Sequence, residues 1–153
     1  MSLKRIIIFD ETHDRLLELL RNAATNEDPA RVINIGSING VQPPSFETYA
    51  YSASKAALHM LSRHLAIHLG REYITVNAVA PGSFDTKMMK HTITHFRDVL
   101  EASVPLGRIG RPEDMAGVCL WLSSRAGAYV NGSVIVVDGG RLDNAGFIGN
   151  SKL

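Results

Sequence analysis

The sequence predicts an α/β domain built on a mainly parallel sheet of three to four strands with flanking helices. Three observations lead there. RVINIGS (31–37), YITVNAVAPGS (73–83) and GSVIVVDGG (132–140) are nearly continuous apolar runs that stop at Gly, Ser or Pro-Gly. Unbroken apolar runs of this length suit strands buried on both faces of a parallel sheet. Helical patterns lie between them, and strand alternating with helix implies right-handed βαβ crossovers in a layered sheet. At 153 residues the chain is one domain's worth, enough for a core.

The elements follow in chain order. KRIIIFD opens with three consecutive isoleucines, so residues 4–9 are read as a strand, with the start of a helix as the alternative. Thr12 would then cap the helix that follows. Residues 13–25 carry Leu16, Leu17, Leu19 and Leu20 as an apolar stripe, and residues 49–69 carry Tyr51, Leu58, Leu61, Leu65 and Leu69 at helical spacing. Residues 84–100 are read as helical. Residues 112–123 begin Pro112-Glu113-Asp114, and proline followed by acids in the first turn marks a helix start. No internal repeat or low-complexity segment interrupts the series.

Composition narrows the partners. A formal net charge of +1 gives no reason to expect nucleic acid or an anionic membrane surface. No apolar run approaches the roughly 20 residues of a membrane span. The opening MSLKRIIIFDETHD lacks a small-residue cleavage site, so no secretory signal is expected. The single cysteine, Cys119, lies in the apolar stretch AGVCLWL and is read as a buried, inert thiol in a reducing compartment. The last residues, Ser151, Lys152 and Leu153, spell the S-K-L address read by the peroxisomal import receptor, which places the chain in the peroxisome. A coincidental tail, leaving the chain in the cytoplasm, is the alternative.

ETYAYSASKAAL (47–58) sets Tyr51 and Lys55 four apart among small residues, on one face of a helix. An ammonium beside a phenol favours the phenolate, and a poised phenol passes a proton to or from a carbonyl or alcohol oxygen. Ser37 ends the first clear strand, at the sheet edge where α/β proteins hold ligands, and its hydroxyl is placed to steady the same substrate oxygen. Tyr-x-x-x-Lys alone is weak, since many helices hold an aromatic beside a surface lysine. Its context is specific: Ser37 precedes Tyr51 by fourteen residues, and NAVAPGSFDT, PLGRIGRPEDMAGVCLWLSS and YVNGSVIVVDGG follow in order.

Together these motifs resemble the short-chain dehydrogenase/reductase family, especially its 3-oxoacyl-reductase-like members, from about residue 12 to 140, with 141–153 as a tail. The resemblance implies a Rossmann-like fold and an NAD- or NADP-dependent oxidoreductase acting on a small carbonyl or secondary alcohol. It implies that Ser37 orients the substrate carbonyl, that Tyr51 is the general acid/base, and that Lys55 activates Tyr51 and binds the nicotinamide ribose. Pro81 and Gly82 would shape the loop under the nicotinamide, with Phe84, by its backbone, and Thr86 at the carboxamide. Thr86 to about Ser103, with Met88, Met89 and Phe96, would form the substrate lid, though core packing accounts for those side chains equally well.

The resemblance also implies an absence. The family binds the pyrophosphate at a Gly-rich turn between its first strand and first helix, and no strand–Gly-rich–helix unit is found here. GSING (36–40) belongs to the Ser37 strand, and NAGFIG (144–149) follows the last strand. The family's catalytic asparagine would fall near Arg5, so it too has no counterpart. The expected fold is therefore a truncated one: the C-terminal catalytic half, with little cofactor affinity or activity alone. Long helices at 13–25 and 49–69 resemble the family's dimer interface, so a homo-oligomer, or a hetero-oligomer with a full-length relative, is expected. Three readings stay open: an oxidoreductase completed by another chain, a non-catalytic partner of a full-length relative, or a product of a truncated gene or splice form.

No metal is expected. His64 with His68 and His91 with His95 are spaced four apart but lack a third ligand, and are read as surface or interface histidines. Arg108 and Arg111 are read as lying in a solvated turn.

Overall fold

The computed structural model describes residues 13–45 and 47–144. The expected strand at 4–9, the Thr12 cap, Arg5 and the S-K-L tripeptide lie outside them. Helix α1 (His13–Ala23) leads to strand β1 (Ala30–Ile35), helix α2 (Tyr49–Leu69), strand β2 (Ile74–Pro81), helices α3 (Lys90–Ala102) and α4 (Pro112–Ser123), and strand β3 (Val134–Val137). The strands form one parallel sheet in the order β1-β2-β3. Ala30 pairs with Ile74 and Ala78 with Val134, and the registers run on from there. The expected α/β architecture with three parallel strands is what these residues adopt.

Side chains alternate across the sheet, and each face has its own core. Ala30, Val32, Ile74 and Val76 pack with Leu20 of α1 and with Ala66 and Leu69 of α2. On the other face, Ile33 and Val79 pack with Leu122 of α4, with Met115 and Val118 against them. Two polar residues of β1 are buried with partners. Asn34 donates to Ser62 Oγ of α2 at 2.9 Å. Arg31 donates to the Ser124 carbonyl at 3.1 Å, just past α4, and meets Asp28 at 3.3 Å.

Three boundaries depart from the sequence reading. The 84–100 helix begins at Lys90, because Phe84 bridges in parallel to Gly110 and Thr86 Oγ1 accepts the Met89 N–H at 3.4 Å, which holds 84–89 in a bridge and a turn. The 132–140 run gives only Val134–Val137, since Gly132, Gly139 and Gly140 take positive φ and turn the chain at both ends. Burial on both faces holds for β2, whereas β3 lies at the sheet edge, half-buried, with Val136 exposed. The helix read over 13–25 ends at Ala23, and Thr25 Oγ1 accepts the Asp28 N–H at 3.0 Å in the turn that follows. Among the described residues no helix is long and apolar enough to cross a membrane.

Candidate active site

All three strands run the same way, so their carboxyl ends meet at one edge. At the end of β1, Gly36 donates its N–H to the Val79 carbonyl at 2.7 Å and carries the sheet pattern one residue further. Ser37 follows in extended conformation, buried, with its Oγ accepting the Asn39 N–H at 3.2 Å. That bond caps the single turn Ile38–Gly40, which lies hard against α2: a Cβ on Gly40 would sit 2.6 Å from the Lys55 carbonyl carbon.

Helix α2 begins at the same edge. Tyr51 stands in its first turn and is 37% exposed. One turn on, Lys55 donates from Nζ to the Ile35 carbonyl at 3.0 Å, and the same Nζ lies 5.7 Å from the centroid of the Tyr51 ring. The ammonium is thus tied to the last residue of β1 and kept beside the phenol, within cation–π range. It has three donors, so two remain for other acceptors. Lys55 and Tyr51 thus lie beside the strand end that Ser37 follows.

At the end of β2, Gly82 donates to the Val137 carbonyl at 2.9 Å. A Cβ there would sit 2.8 Å from Asp138 Cβ, so Pro81-Gly82 lets β3 approach closely. The bridge between Phe84 and Gly110 is made by its neighbours: Gly110 donates to the Ser83 carbonyl at 2.8 Å, and Asp85 donates to the Gly110 carbonyl at 3.3 Å. In a parallel bridge the central residue's own N–H and C=O then point the other way, so Phe84 presents its backbone outward from this pairing. Its ring lies over Gly110, where a Cβ would meet ring carbons at 2.5 Å. Thr86 is exposed at the start of the segment leading to α3.

Two apolar side chains stand uncovered there and in α3. Met88 is 77% exposed and Phe96 55%, so core packing does not account for them. Phe96 breaks the helical backbone of α3 (φ −132, ψ 23), while Ile93 is buried and anchors it. A cavity of about 110 Å³ lies behind the loop, lined by Ser83, Phe84, Leu106, Arg108 and Asp138 among others.

The remaining candidates take structural parts. Arg108 grips Asp114 with two bonds, at 2.7 and 3.0 Å, and Asp114 also accepts the Arg111 N–H at 2.8 Å at the start of α4. Those bonds hold the Asp114 carboxyl down at about 2. The Arg108 turn is therefore an ion-paired helix start. The rings of His64 and His68 meet edge-on at 6.0 Å and those of His91 and His95 at 4.4 Å; among the described residues no group of three or more metal-ligating side chains forms. Cys119 is half-buried where the sequence reading had it buried, and that burial pushes its thiol up.

Sequence reasoning passed over His59. It is buried one turn beyond Lys55, with Nε2 and Cδ2 over Gly36. The signal available was its spacing: residues 51, 55 and 59 share one helix face.

A parallel sheet layered by helices, with a serine at one strand end and a Tyr-x-x-x-Lys helix beside it, defines a class, and the chain belongs to the short-chain dehydrogenase/reductase family. The family model that matches residues 15–141 is described as enoyl-(acyl carrier protein) reductase. The chain is 52% identical over 129 residues to the rhamnolipids biosynthesis 3-oxoacyl-[acyl-carrier-protein] reductase of Pseudomonas aeruginosa, covering 82% of this chain and 50% of that protein. It is 40% identical over 126 residues to the 3-oxoacyl-[acyl-carrier-protein] reductase FabG of the same organism, covering 82% of this chain and 51% of that protein. Among solved structures, the Pseudomonas aeruginosa RhlG/NADP active-site complex superposes with a TM-score of 0.78 at 49% identity, over 84% of this chain and 52% of that one. A short-chain type dehydrogenase/reductase from Mycobacterium marinum gives 0.75 at 31% identity, over 85% and 50%. The chain thus spans about half the length of the curated relatives it matches.

Proposed function

We propose that this chain carries the substrate-side half of an NAD(P)-dependent oxidoreductase that interconverts a carbonyl and a secondary alcohol. The observation that carries the reading is Lys55, fixed to the Ile35 carbonyl at 3.0 Å and held beside the Tyr51 ring. In this reading Ser37 donates to the substrate oxygen and orients it, and the Tyr51 hydroxyl delivers or accepts the proton there. The Lys55 ammonium stabilises the phenolate as it develops, and its two remaining donors reach the ribose hydroxyls. The outward backbone of Phe84 and the hydroxyl of Thr86 fit a carboxamide, with Pro81 and Gly82 forming the floor. The bound nicotinamide would supply the hydride. The described residues suit that end of the dinucleotide. They contain no strand–Gly-rich–helix turn for the pyrophosphate, so the adenosine end is assigned to a segment that another chain or a longer form supplies. Similarity to 3-oxoacyl reductases and the apolar surface of Met88 and Phe96 favour an acyl-type carbonyl.

Titration of the purified chain with NADPH and then NADH in a calorimeter, with a 3-oxoacyl thioester assay on the same sample, tests this. Micromolar binding would show a complete cofactor site and overturn the assignment to another segment. The absence of both binding and turnover, beyond what an added full-length relative shows alone, would overturn the reading as an oxidoreductase.

A second reading is a non-catalytic subunit that co-oligomerises with a full-length relative. The observation in its favour is the row of exposed apolar side chains on α2, namely Met60, Leu61 and Ile67. Light scattering, and co-purification with a tagged relative, test it; a monomer at micromolar concentration that captures no relative would count against it. Ser151-Lys152-Leu153 is proposed as a peroxisomal address. A fluorescent fusion ending in these residues should enter peroxisomes, and one lacking them should stay outside.

A further inference from the structure

We propose that His59 is a positioning residue for the Ser37–Tyr51–Lys55 site: its imidazole fills the space over Gly36 and clamps the 36–40 turn to α2. The role deepens the reading above and rests on it for its purpose, while the clamp itself can be read without turnover.

The face of α2 that carries the site passes from solvent to core in about two turns. Tyr51 is exposed, Lys55 is half-buried, and His59 is 5% exposed. Each deeper residue holds the strand end one step further along. Lys55 takes the Ile35 carbonyl, and His59 covers Gly36. Ser37 is the next residue in the chain. The fit at Gly36 is steric: a Cβ there would sit 2.0 Å from His59 Nε2 and 2.7 Å from Cδ2. Any other residue at 36 must displace the imidazole or the turn that carries Ser37.

Nε2 is buried with no partner, so the ring is held over Gly36 by its flat shape and not by a hydrogen bond at that atom, and a side chain of another shape does not repeat the fit. Burial lowers the affinity of His59 for a proton, and Arg63 and Lys55, both on α2, repel a further charge. The 36–40 turn and Val79 of β2 offer only backbone groups and uncharged side chains. The imidazole is therefore neutral, which keeps a second cation away from Lys55.

The test uses the 153-residue chain and amide hydrogen exchange at Ser37, Asn39 and Gly40, read by NMR. Gly36→Ala should speed exchange at these amides about tenfold or more, a local opening. Gly36→Ala with His59→Ala should return it to within about threefold of His59→Ala alone, because the clash is gone. Additive effects of the two changes would overturn the clamp. If Gly36→Ala does not fold, recovery of the fold in the double variant is the same support, and failure to recover it overturns the proposal. His59→Leu puts a branched side chain where the flat ring lies over Gly36, so it should speed exchange at Ser37, Asn39 and Gly40, while His59→Asn, which keeps a flat group, does so less. A His59→Leu protein that exchanges like the parent would overturn the fit of the ring. Where the parent turns over substrate, His59→Leu should lower kcat and leave KM unchanged. A parent without turnover whose exchange follows this pattern sinks the functional reading alone and leaves the clamp standing.

Discussion

Asn131 offers the sharpest test of how this sheet is held together. Its side chain stands where a strand residue would be. Asn131 Oδ1 accepts the Val76 N–H at 2.9 Å, and its Nδ2 donates to the Ala66 carbonyl at 2.9 Å. The next residue, Gly132, donates to the Val76 carbonyl at 2.9 Å, so one amide and one glycine extend the pairing of β2 ahead of β3. Asn77 answers from the opposite direction, donating to the Val130 carbonyl at 2.8 Å and accepting the Ser133 N–H at 3.0 Å. Replacing Asn131 with Ala removes two bonds of about 1 kcal/mol each, and leaves a buried strand N–H without an acceptor at about 1–3 kcal/mol more. Asn131 is itself exposed, and water can take over part of the lost bonding. The expected loss is therefore about 2–4 kcal/mol, or about 5–15 °C in Tm for a chain of this size. Urea unfolding followed by circular dichroism measures it. A shift below about 0.5 kcal/mol would refute the reasoning, because the amide would then be decorating a register set elsewhere.

Three further predictions follow from the site and its supports. With the cofactor-binding segment supplied, Tyr51→Phe should cost about 10²–10⁴ in kcat/KM for a carbonyl substrate and change stability by less than about 0.5 kcal/mol, since the side chain is partly exposed; an active Tyr51→Phe enzyme would remove Tyr51 from the chemistry. Gly82→Ala should destabilise by about 1–3 kcal/mol through overpacking, because the new Cβ meets Asp138 Cβ at 2.8 Å and its Cα at 3.0 Å; unchanged urea midpoints would contradict that contact. Asp114 is held at about 2, below its ordinary 3.8, first by the Arg108 guanidinium and then by the Arg111 N–H. A depressed carboxyl stabilises the fold above its unfolded value and loses that contribution as pH falls through the folded one. Asp114→Asn should thus lower stability at neutral pH and flatten its acid dependence between about pH 4 and about pH 2, which unfolding midpoints across that window will show.

The parts of the site that were legible in the sequence are those carried by local pattern. Tyr51 and Lys55 share a face because the helix repeats every 3.6 residues. Pro112 with two acids behind it starts α4 where expected, and the run of small and apolar residues from 49 to 69 gives α2 its observed ends. The boundaries that moved did so through contacts distant in sequence. Helix α3 starts late because Phe84 is taken by Gly110, twenty-six residues on, and β3 is short because glycines at both ends turn with positive φ. His59 was passed over for the same reason: one turn of sequence links it to Lys55, but its importance comes from Gly36, on another element.

By itself the sequence determined the layered α/β class, the parallel order of strand and helix, and the chemical identity of the candidate proton-transfer group. Each of these follows from periodicity or residue type, which are local properties. Only the tertiary structure decided how that group is held: Lys55 on the Ile35 carbonyl, His59 over Gly36, Asn131 in place of a strand residue beside Val76. Those contacts join residues that the chain separates by at least twenty positions, and a folded sheet is what brings each side chain to the backbone it meets.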